Sequence, residues 1–281
     1  KEKEKMTGKG DGNMAIEVFS RYEKKYLLTE EVYLWLLDKI TPYMEPDKFN
    51  KNGQLYNIAN IYYDTQNDAL IRASIEKPVY KEKLRLRSYD VPSLNDKVFL
   101  EIKKKYKGLV NKRRTTLRLC EAYDLVNHGI EPEEQPYINR QVLEELKYFL
   151  KVYDLKPKVY LTYDRQAFFS KTDRDFRVTF DTNIKTRREN VGLELGNQGE
   201  LLIGNAFWLM EVKSSEAVPV WFSELLAEKE IFSTSFSKYG TEYKRTLQNI
   251  QNDKLEGEML LCSRQYLKQQ VQYQPLMHSL A

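Results

Sequence analysis

Arg85 and Arg87 stand two residues apart in Lys83-Leu84-Arg85-Leu86-Arg87, with a leucine between them. Successive side chains of a strand point to opposite faces. Lys83, Arg85 and Arg87 would therefore share one face, and Leu84 and Leu86 the other. The alternation recurs along the chain: Arg21, Glu23 and Lys25 share a parity, as do Glu101, Lys103 and Lys105, and Glu211 with Lys213. A guanidinium fork matches phosphate oxygens two at a time, and an ammonium is a compact charge for the same oxygens. An ordinary half-buried strand turns mixed polar residues outward. Here the alternating set is Arg and Lys with a sparse set of Glu, which fits strands lining a polar interior that holds a polyanion and its metal.

Each candidate also has a blander reading. Arg85 and Arg87 on an exposed edge strand would be solubilising charges that blunt aggregation. Joined to Lys25, Lys103, Arg165, Arg177 and Lys213 at matching parity, they read as phosphate binders. Glu211 is the leading carboxylate for Mg²⁺ or Mn²⁺, which prefer oxygen and take few protein ligands beside substrate phosphates. A salt bridge to Lys213 or a neighbouring arginine accounts for it nearly as well. Glu23 and Glu101 are second choices for the metal, or they orient nearby cations. Asp181 shares parity with Arg177 and Thr179 and suits either job. In Val110 to Leu119, outward Leu117 and Leu119 place Arg113 with them and turn Lys112, Arg114 and Thr116 inward. Lys112-Arg113-Arg114 reads equally as an exposed basic patch. Ser237-Lys238 is either a late closing element over a tunnel mouth or a surface loop. The 20 tyrosines are read as packing and strand-forming residues, none of them as a nucleobase platform. No Ser/His/Asp or Cys/His arrangement is visible, so nucleophilic side-chain catalysis is not expected. The glycines form no phosphate-binding loop of the usual spacing.

The elements that must carry these residues follow from periodicity. Strands are expected at Phe19–Leu28, Tyr56–Tyr63, Tyr80–Tyr89, Lys97–Tyr106, Val110–Leu119, Lys158–Ser170, Phe176–Lys185 and Phe207–Ser214, with a weaker one at Val191–Leu195. Tyr106-Lys107-Gly108 and Asp173-Arg174-Asp175 are hairpin turns. Helices are expected from Thr29 as N-cap to Pro42, then at Asn67–Glu76, Glu121–His128, Ile138–Tyr153 and Pro219–Phe232. Beyond Lys244 the chain is Gln-rich and helical. The predicted class is α+β: an eight-stranded antiparallel β-barrel tunnel with helices packed outside, the charged parity facing its lumen.

The chain has 281 residues and a formal net charge of only +4. With the cations on an inward parity, that argues against a nucleic-acid binder. Cys120 and Cys262 lie far apart without metal-type spacing, which suits a reducing, cytoplasmic setting. No run approaches the roughly 18 apolar residues of a membrane span.

Nine segments in order carry a family resemblance: Arg21-Tyr22-Glu23-Lys24-Lys25-Tyr26, Ile61-Tyr62-Tyr63-Asp64-Thr65, Lys83-Leu84-Arg85-Leu86-Arg87, Phe99-Leu100-Glu101-Ile102-Lys103, Lys112-Arg113-Arg114, Tyr163-Asp164-Arg165, Arg177-Val178-Thr179-Phe180-Asp181, Glu211-Val212-Lys213 and Phe236-Ser237-Lys238-Tyr239. Together they resemble the polyphosphate polymerase domain of the vacuolar transporter chaperone (VTC) complex, in the CYTH-like triphosphate tunnel superfamily. The resemblance implies an eight-stranded tunnel that binds ATP and inorganic polyphosphate with Mn²⁺ or Mg²⁺, and transfers the γ-phosphate onto a growing chain. It implies catalytic roles for Arg85, Arg87, Lys103, Arg165, Arg177 and Lys213. Lys25, Lys105, Lys112, Arg114, Ser237 and Lys238 would bind phosphate or nucleotide, and Glu211, Glu23 and Glu101 the metal. An inorganic triphosphatase of the same fold and a non-catalytic polyphosphate binder remain as alternatives. Where the eukaryotic enzymes carry a lysine shortly before the Ser-Lys pair, Ser235 stands here. No phosphate-sensing domain or membrane tail is recognised in it, and the expectation is that it resembles the free-standing bacterial versions. The expected layout is a disordered leader at 1–16, the catalytic domain at 17–250 and a helical tail at 251–281.

Overall fold

A computed structural model describes residues 18–19, 22–50, 53–107, 109–252 and 254–255; the leader, Arg21 and most of the tail lie outside the described residues. The chain divides into two compact units, one ending at Ser235 and one beginning at Phe236. The second contributes a helix over 238–252.

The first unit is an α+β structure built on one antiparallel sheet. Its strands are β1 (Val18–Phe19), β2 (Tyr22–Thr29), β3 (Met44–Pro46), β4 (Tyr56–Asp64), β5 (Tyr80–Tyr89), β6 (Lys97–Tyr106), β7 (Leu109–Arg118), β8 (Lys156–Ser170), β9 (Arg177–Arg187), β10 (Glu200–Leu201) and β11 (Phe207–Ser214). The main ladder runs β1-β7-β6-β5-β4-β8-β9-β11-β2, with β3 added to β8 and β10 to β9. The helices are α1 (Glu30–Ile40), α2 (Ala69–Ile75), α3 (Leu119–His128), α4 (Arg140–Val152) and α5 (Val220–Glu228).

The expected closed eight-stranded barrel needs correcting in two respects. Among the described residues there are eleven strands, eight of them eight residues or longer, and the hydrogen-bonded ladder is open. The reason lies at the edges. The outer edge of β7 is taken by β1 through Val18↔Asn111 and Phe19↔Val110, and that of β2 meets Thr234 in an isolated bridge at Lys25. The sheet nevertheless curls: Lys103 on β6 brings its Nζ to 3.9 Å from Glu23 on β2, at opposite ends of the ladder. The expected strand at Val191–Leu195 does not form. There Arg187 donates to the carbonyls of Asn190, Gly192, Gly196 and Gln198 and gathers the segment into a loop. Helix α5 ends at Glu228, short of Phe232.

Apolar residues on one parity bury the outer face in two clusters. Leu84, Leu86, Leu100, Ile102 and Leu117 pack against Leu125 of α3 and Leu146 and Phe149 of α4. Tyr26, Leu28, Val178, Phe180 and Met210 pack against Leu36 and Ile40 of α1 and Phe222 of α5. In α1 the buried residues Tyr33, Leu36 and Ile40 follow the helical period, and Thr29 caps it by accepting from the Val32 amide at 3.4 Å. With both clusters on one face, the charged parity is left for the other.

Asp64, fully buried at the end of β4, ties the sheet to α2. Its carboxylate accepts from the amides of Thr65 at 2.8 Å, Leu70 at 2.9 Å and Ile71 at 2.9 Å, so it serves the helix N-terminus that Asp68 leaves uncapped. Removing it strands buried amide donors. Asp64→Ala is expected to cost about 2 kcal/mol, read as a lowered urea midpoint with an unchanged slope; an unaltered midpoint would show that solvent replaces the carboxylate.

Candidate functional site

On the inner face the strand register sets cations directly opposite one another. Lys83, Lys103 and Lys112 form one rung across β5, β6 and β7, and Lys81 faces Lys105 on the next. Arg85, Glu101 and Arg114 form the adjoining rung. Across the curl, Lys25, Glu211 and Thr179 align over β2, β11 and β9, and Glu23, Lys213 and Arg177 align beside them. Like charges directly opposite are destabilising in a sheet.

Carboxylates anchor the arginines. The Glu101 carboxylate, almost fully buried, accepts from Arg85 Nε at 3.0 Å and again from Nη2, while Lys112 Nζ lies 3.4 Å from its other oxygen. Burial pushes the Glu101 carboxyl up, but Arg85, Arg87 and Lys112 outweigh it and hold it well below the carboxylate range. Arg165 makes a two-point contact with Asp181, at 2.6 and 2.7 Å, and its Nη2 is 3.7 Å from Glu211. Arg87 donates to Asn60 Oδ1 at 2.9 Å and to the Tyr163 hydroxyl at 3.1 Å. Arg177 donates to Asp47 at 3.3 Å and stacks over Phe169. Its Nε and the hydroxyl of Thr179 are buried without a hydrogen-bond partner among the described residues.

Glu23 and Glu211 share their cations. Lys25 is 3.3 Å from Glu23 and 3.5 Å from Glu211, and Lys213 is 3.9 Å from each. Burial and Glu211 raise the Glu23 carboxyl, yet Lys103, Lys213 and Lys25 together hold it at about 2. Burial is the main reason that the ammonium groups of Lys83 and Lys213 titrate at about 8, with neighbouring cations adding to it. Burial also opposes ionisation of Tyr62, but Arg85 and Lys83 overcome it and bring that hydroxyl down to about 8. A face so charged suits an extended polyanion better than a compact neutral ligand.

Residues 20–247 match the family model of the VTC domain. The chain belongs to the VTC domain family. It is 25% identical over 283 residues to a Trypanosoma cruzi protein named vacuolar transporter chaperone complex subunit 4, covering 84% of this chain and 35% of the relative. The Trypanosoma brucei brucei protein of the same name is 24% identical over 273 residues, covering 81% and 34%. The chain thus spans about a third of the length of these curated relatives. Among solved structures it is similar to a candidate adenylate cyclase from Bacillus halodurans, with TM-score 0.48 and 18% identity over 79% of this chain and 96% of that one. It is also similar to a candidate adenylyl cyclase from Hippeastrum described as having a dominant triphosphatase activity, with TM-score 0.46 and 19% identity over 77% and 92%.

The VTC domain places Lys25, Arg85, Arg87, Lys103, Lys105, Lys112, Arg114, Arg165, Arg177, Lys213, Glu23, Glu101 and Glu211 on the inner parity, whereas Arg113 turns outward to Glu145 of α4 at 2.9 Å. Ser237 and Lys238 lie in the second unit, at the start of its helix. Sequence reasoning passed over Asn60, Tyr62 and Tyr163, although all three share the inward parity of their strands. Asp47 carried no signal, because the loop after β3 brings it to Arg177. Among the described residues, no three His, Cys, Asp or Glu side chains form a metal-holding group.

Lysines titrating at about 8 release protons that the unfolded chain keeps until about 10.4. Between those values the unfolded state binds more protons, so stability rises with pH. The melting temperature of the ligand-free protein is expected to climb from pH 8 to pH 10 at constant ionic strength, and Lys83→Met with Lys213→Met to flatten the climb. A wild-type curve that falls across this window would contradict the geometry.

Proposed function

We propose that this chain is a polyphosphate polymerase that transfers the γ-phosphate of ATP to a growing inorganic polyphosphate chain held along the inner face of the sheet. The observation that carries the reading is the facing of lysine against lysine across β5, β6 and β7, next to the anchored arginines. Such rungs are costly alone and become favourable around a run of phosphates. Membership of the VTC family and the naming of both trypanosome relatives as subunits of a vacuolar transporter chaperone complex support it.

Phosphoryl transfer depends on positioning and charge neutralisation more than on covalent help. Arg85, held by Glu101, and Arg165, held by Asp181, present guanidiniums whose directions are already set, and Arg87 is fixed through Asn60 and Tyr163. With Arg177 they would neutralise the equatorial oxygens of the transferred group. The lysine rungs and Arg114 would hold the rest of the chain. The bond between the γ-phosphorus and the β–γ bridging oxygen breaks, ADP leaves with that oxygen, and an end oxygen of the polyphosphate makes the new bond. That oxygen is already anionic, so no side chain has to deprotonate it.

A divalent cation fits Glu211 and Glu23, two inward carboxylates that share lysines, because Mg²⁺ and Mn²⁺ are usually held by one or two carboxylates plus substrate phosphates. When bound, Mn²⁺ or Mg²⁺ would supply charge neutralisation at the phosphate oxygens. Glu101 fits less well than these two, since it is almost fully buried and accepts from Arg85 at both Nε and Nη2, whereas Glu211 and Glu23 meet their cations at 3.3 Å or more; it positions Arg85. A cytoplasmic site of action and protein partners are part of the proposal. Among the described residues no helix is long and apolar enough to cross a membrane.

The test is incubation of the purified chain with ATP and Mn²⁺, with products resolved on a gel stained for polyphosphate and ADP and orthophosphate quantified alongside. Long chains with matching ADP are expected. Orthophosphate without chains would make it a triphosphatase, and retained polyphosphate binding without turnover a binding module. Glu211→Gln is expected to cut chain synthesis about a hundredfold while nucleotide binding persists; full activity would remove Glu211 from the reaction.

A further inference from the structure

The inner face is graded from end to end. At the end formed by the start of β5 and the close of β6, the inward positions are Lys81, Lys83, Lys103 and Lys105. The arginines follow in the middle. At the opposite end, where β4 begins, β5 closes and β6 begins, the inward positions become aromatic: Tyr56, Tyr89 and Phe99. Strand parity turns these three rings away from the outer face, where Ala59, Leu86, Ser88, Val98 and Leu100 are buried at the alternate positions. They therefore take no part in packing under the helices.

The loop between β3 and β4 adds a fourth ring. Phe49 lies against Tyr89 with ring planes 15° apart and centroids 5.6 Å apart, and against Tyr56 at 5.9 Å. Tyr89 meets Phe99 edge-on at 5.9 Å, and the Arg114 guanidinium stands 4.6 Å over Phe99. Phe49 is 50% exposed and Tyr89 39%. The loop is tied down: Asn50, buried beside Phe49, accepts from the Ala167 amide at 2.8 Å and donates to the carbonyls of Gln54 and Arg165 at 3.0 and 3.3 Å. Tyr56 itself lies opposite Arg165 in the register. Half-exposed aromatic rings thus stand at the end of a row of arginines, on the same face of the same sheet.

We propose that Phe49, Tyr56, Tyr89 and Phe99 form a platform for the base of a nucleoside triphosphate whose phosphates extend inward along the arginines, an assignment that rests on the phosphate-binding reading above. An inorganic chain needs no flat apolar surface, whereas a nucleotide presents one at a single end. Stacking accepts any base because every base has a π-face, so the platform separates nucleotides from inorganic phosphates without choosing between adenine and guanine. It also gives the site a direction: the nucleotide enters at the aromatic end, and the lysine end is left to the inorganic chain.

The test compares calorimetric affinities for ATP, GTP and inorganic tripolyphosphate in the full chain. Phe49→Ala with Tyr89→Ala is expected to weaken ATP and GTP alike by about tenfold or more and to leave tripolyphosphate unchanged. Phe49→Leu, on an exposed loop residue, keeps apolar cover without a flat face and is expected to weaken ATP selectively as well. Undiminished ATP affinity in both variants would overturn the platform, as would an equal loss of ATP and tripolyphosphate in Phe49→Leu. Either result leaves the phosphate reading standing. A wild-type chain that binds tripolyphosphate but gains nothing from the nucleoside overturns the platform alone, and one that binds none of the three overturns both.

Discussion

Facing like charges across β5, β6 and β7 are the constraint from which the rest of this domain follows. Each such pair costs up to roughly 1 kcal/mol, while a buried leucine contributes about 2 kcal/mol. The outer face, with its alternating leucines and valines under α3 and α4, is therefore enough to hold the array in place. Helices can cover only that face, because the lysines cannot be desolvated against an apolar stripe. The inner face stays polar, the sheet curls around it, and the repulsion between Lys83, Lys103 and Lys112 is offset in part by Glu23 and Glu101.

The carboxylates divide this face into two kinds of cation. Arg85 and Arg165 are each locked by a buried acid, Glu101 and Asp181, whose cost of burial is met by two-point hydrogen bonds. They act as fixed forks. Several of the lysines share partners: Glu23 meets Lys25, Lys103 and Lys213, and Glu211 meets Lys25, Lys213 and Arg165. Long ammonium side chains on shared partners can follow a chain that moves, while fixed guanidiniums define where a phosphoryl group sits. That division suits a reaction in which one end of a polymer is held still and the remainder slides.

How far this was legible in the sequence depends on whether the deciding interaction was local. The inward parity of Lys83, Arg85 and Arg87 could be read because leucines alternate with them, and the β6–β7 hairpin because the expected turn falls at Lys107, which has positive φ. Thr29 announced α1. The open ladder was not legible, since it depends on β1 and Thr234 occupying the two edges, contacts distant in sequence. Val191–Leu195 has apolar alternation, but the Arg187 guanidinium draws its carbonyls into a loop. Glu101 read as a second choice for the metal or as a partner of nearby cations, and only the strand register sets it between Arg85 and Arg114. The tyrosines read as packing residues from ring type alone, and the inward position of Tyr56 and Tyr89 shows only in the strand register.

The most direct test of the central claim is the melting temperature of the ligand-free chain titrated with inorganic tripolyphosphate, beside a series of sodium chloride at matched ionic strength. If the facing lysines await a polyanion, tripolyphosphate raises the melting temperature at concentrations where chloride has little effect, and the rise saturates as site binding requires. If both salts act alike at equal ionic strength, the cations are merely screened, and the inner face is not a polyanion site.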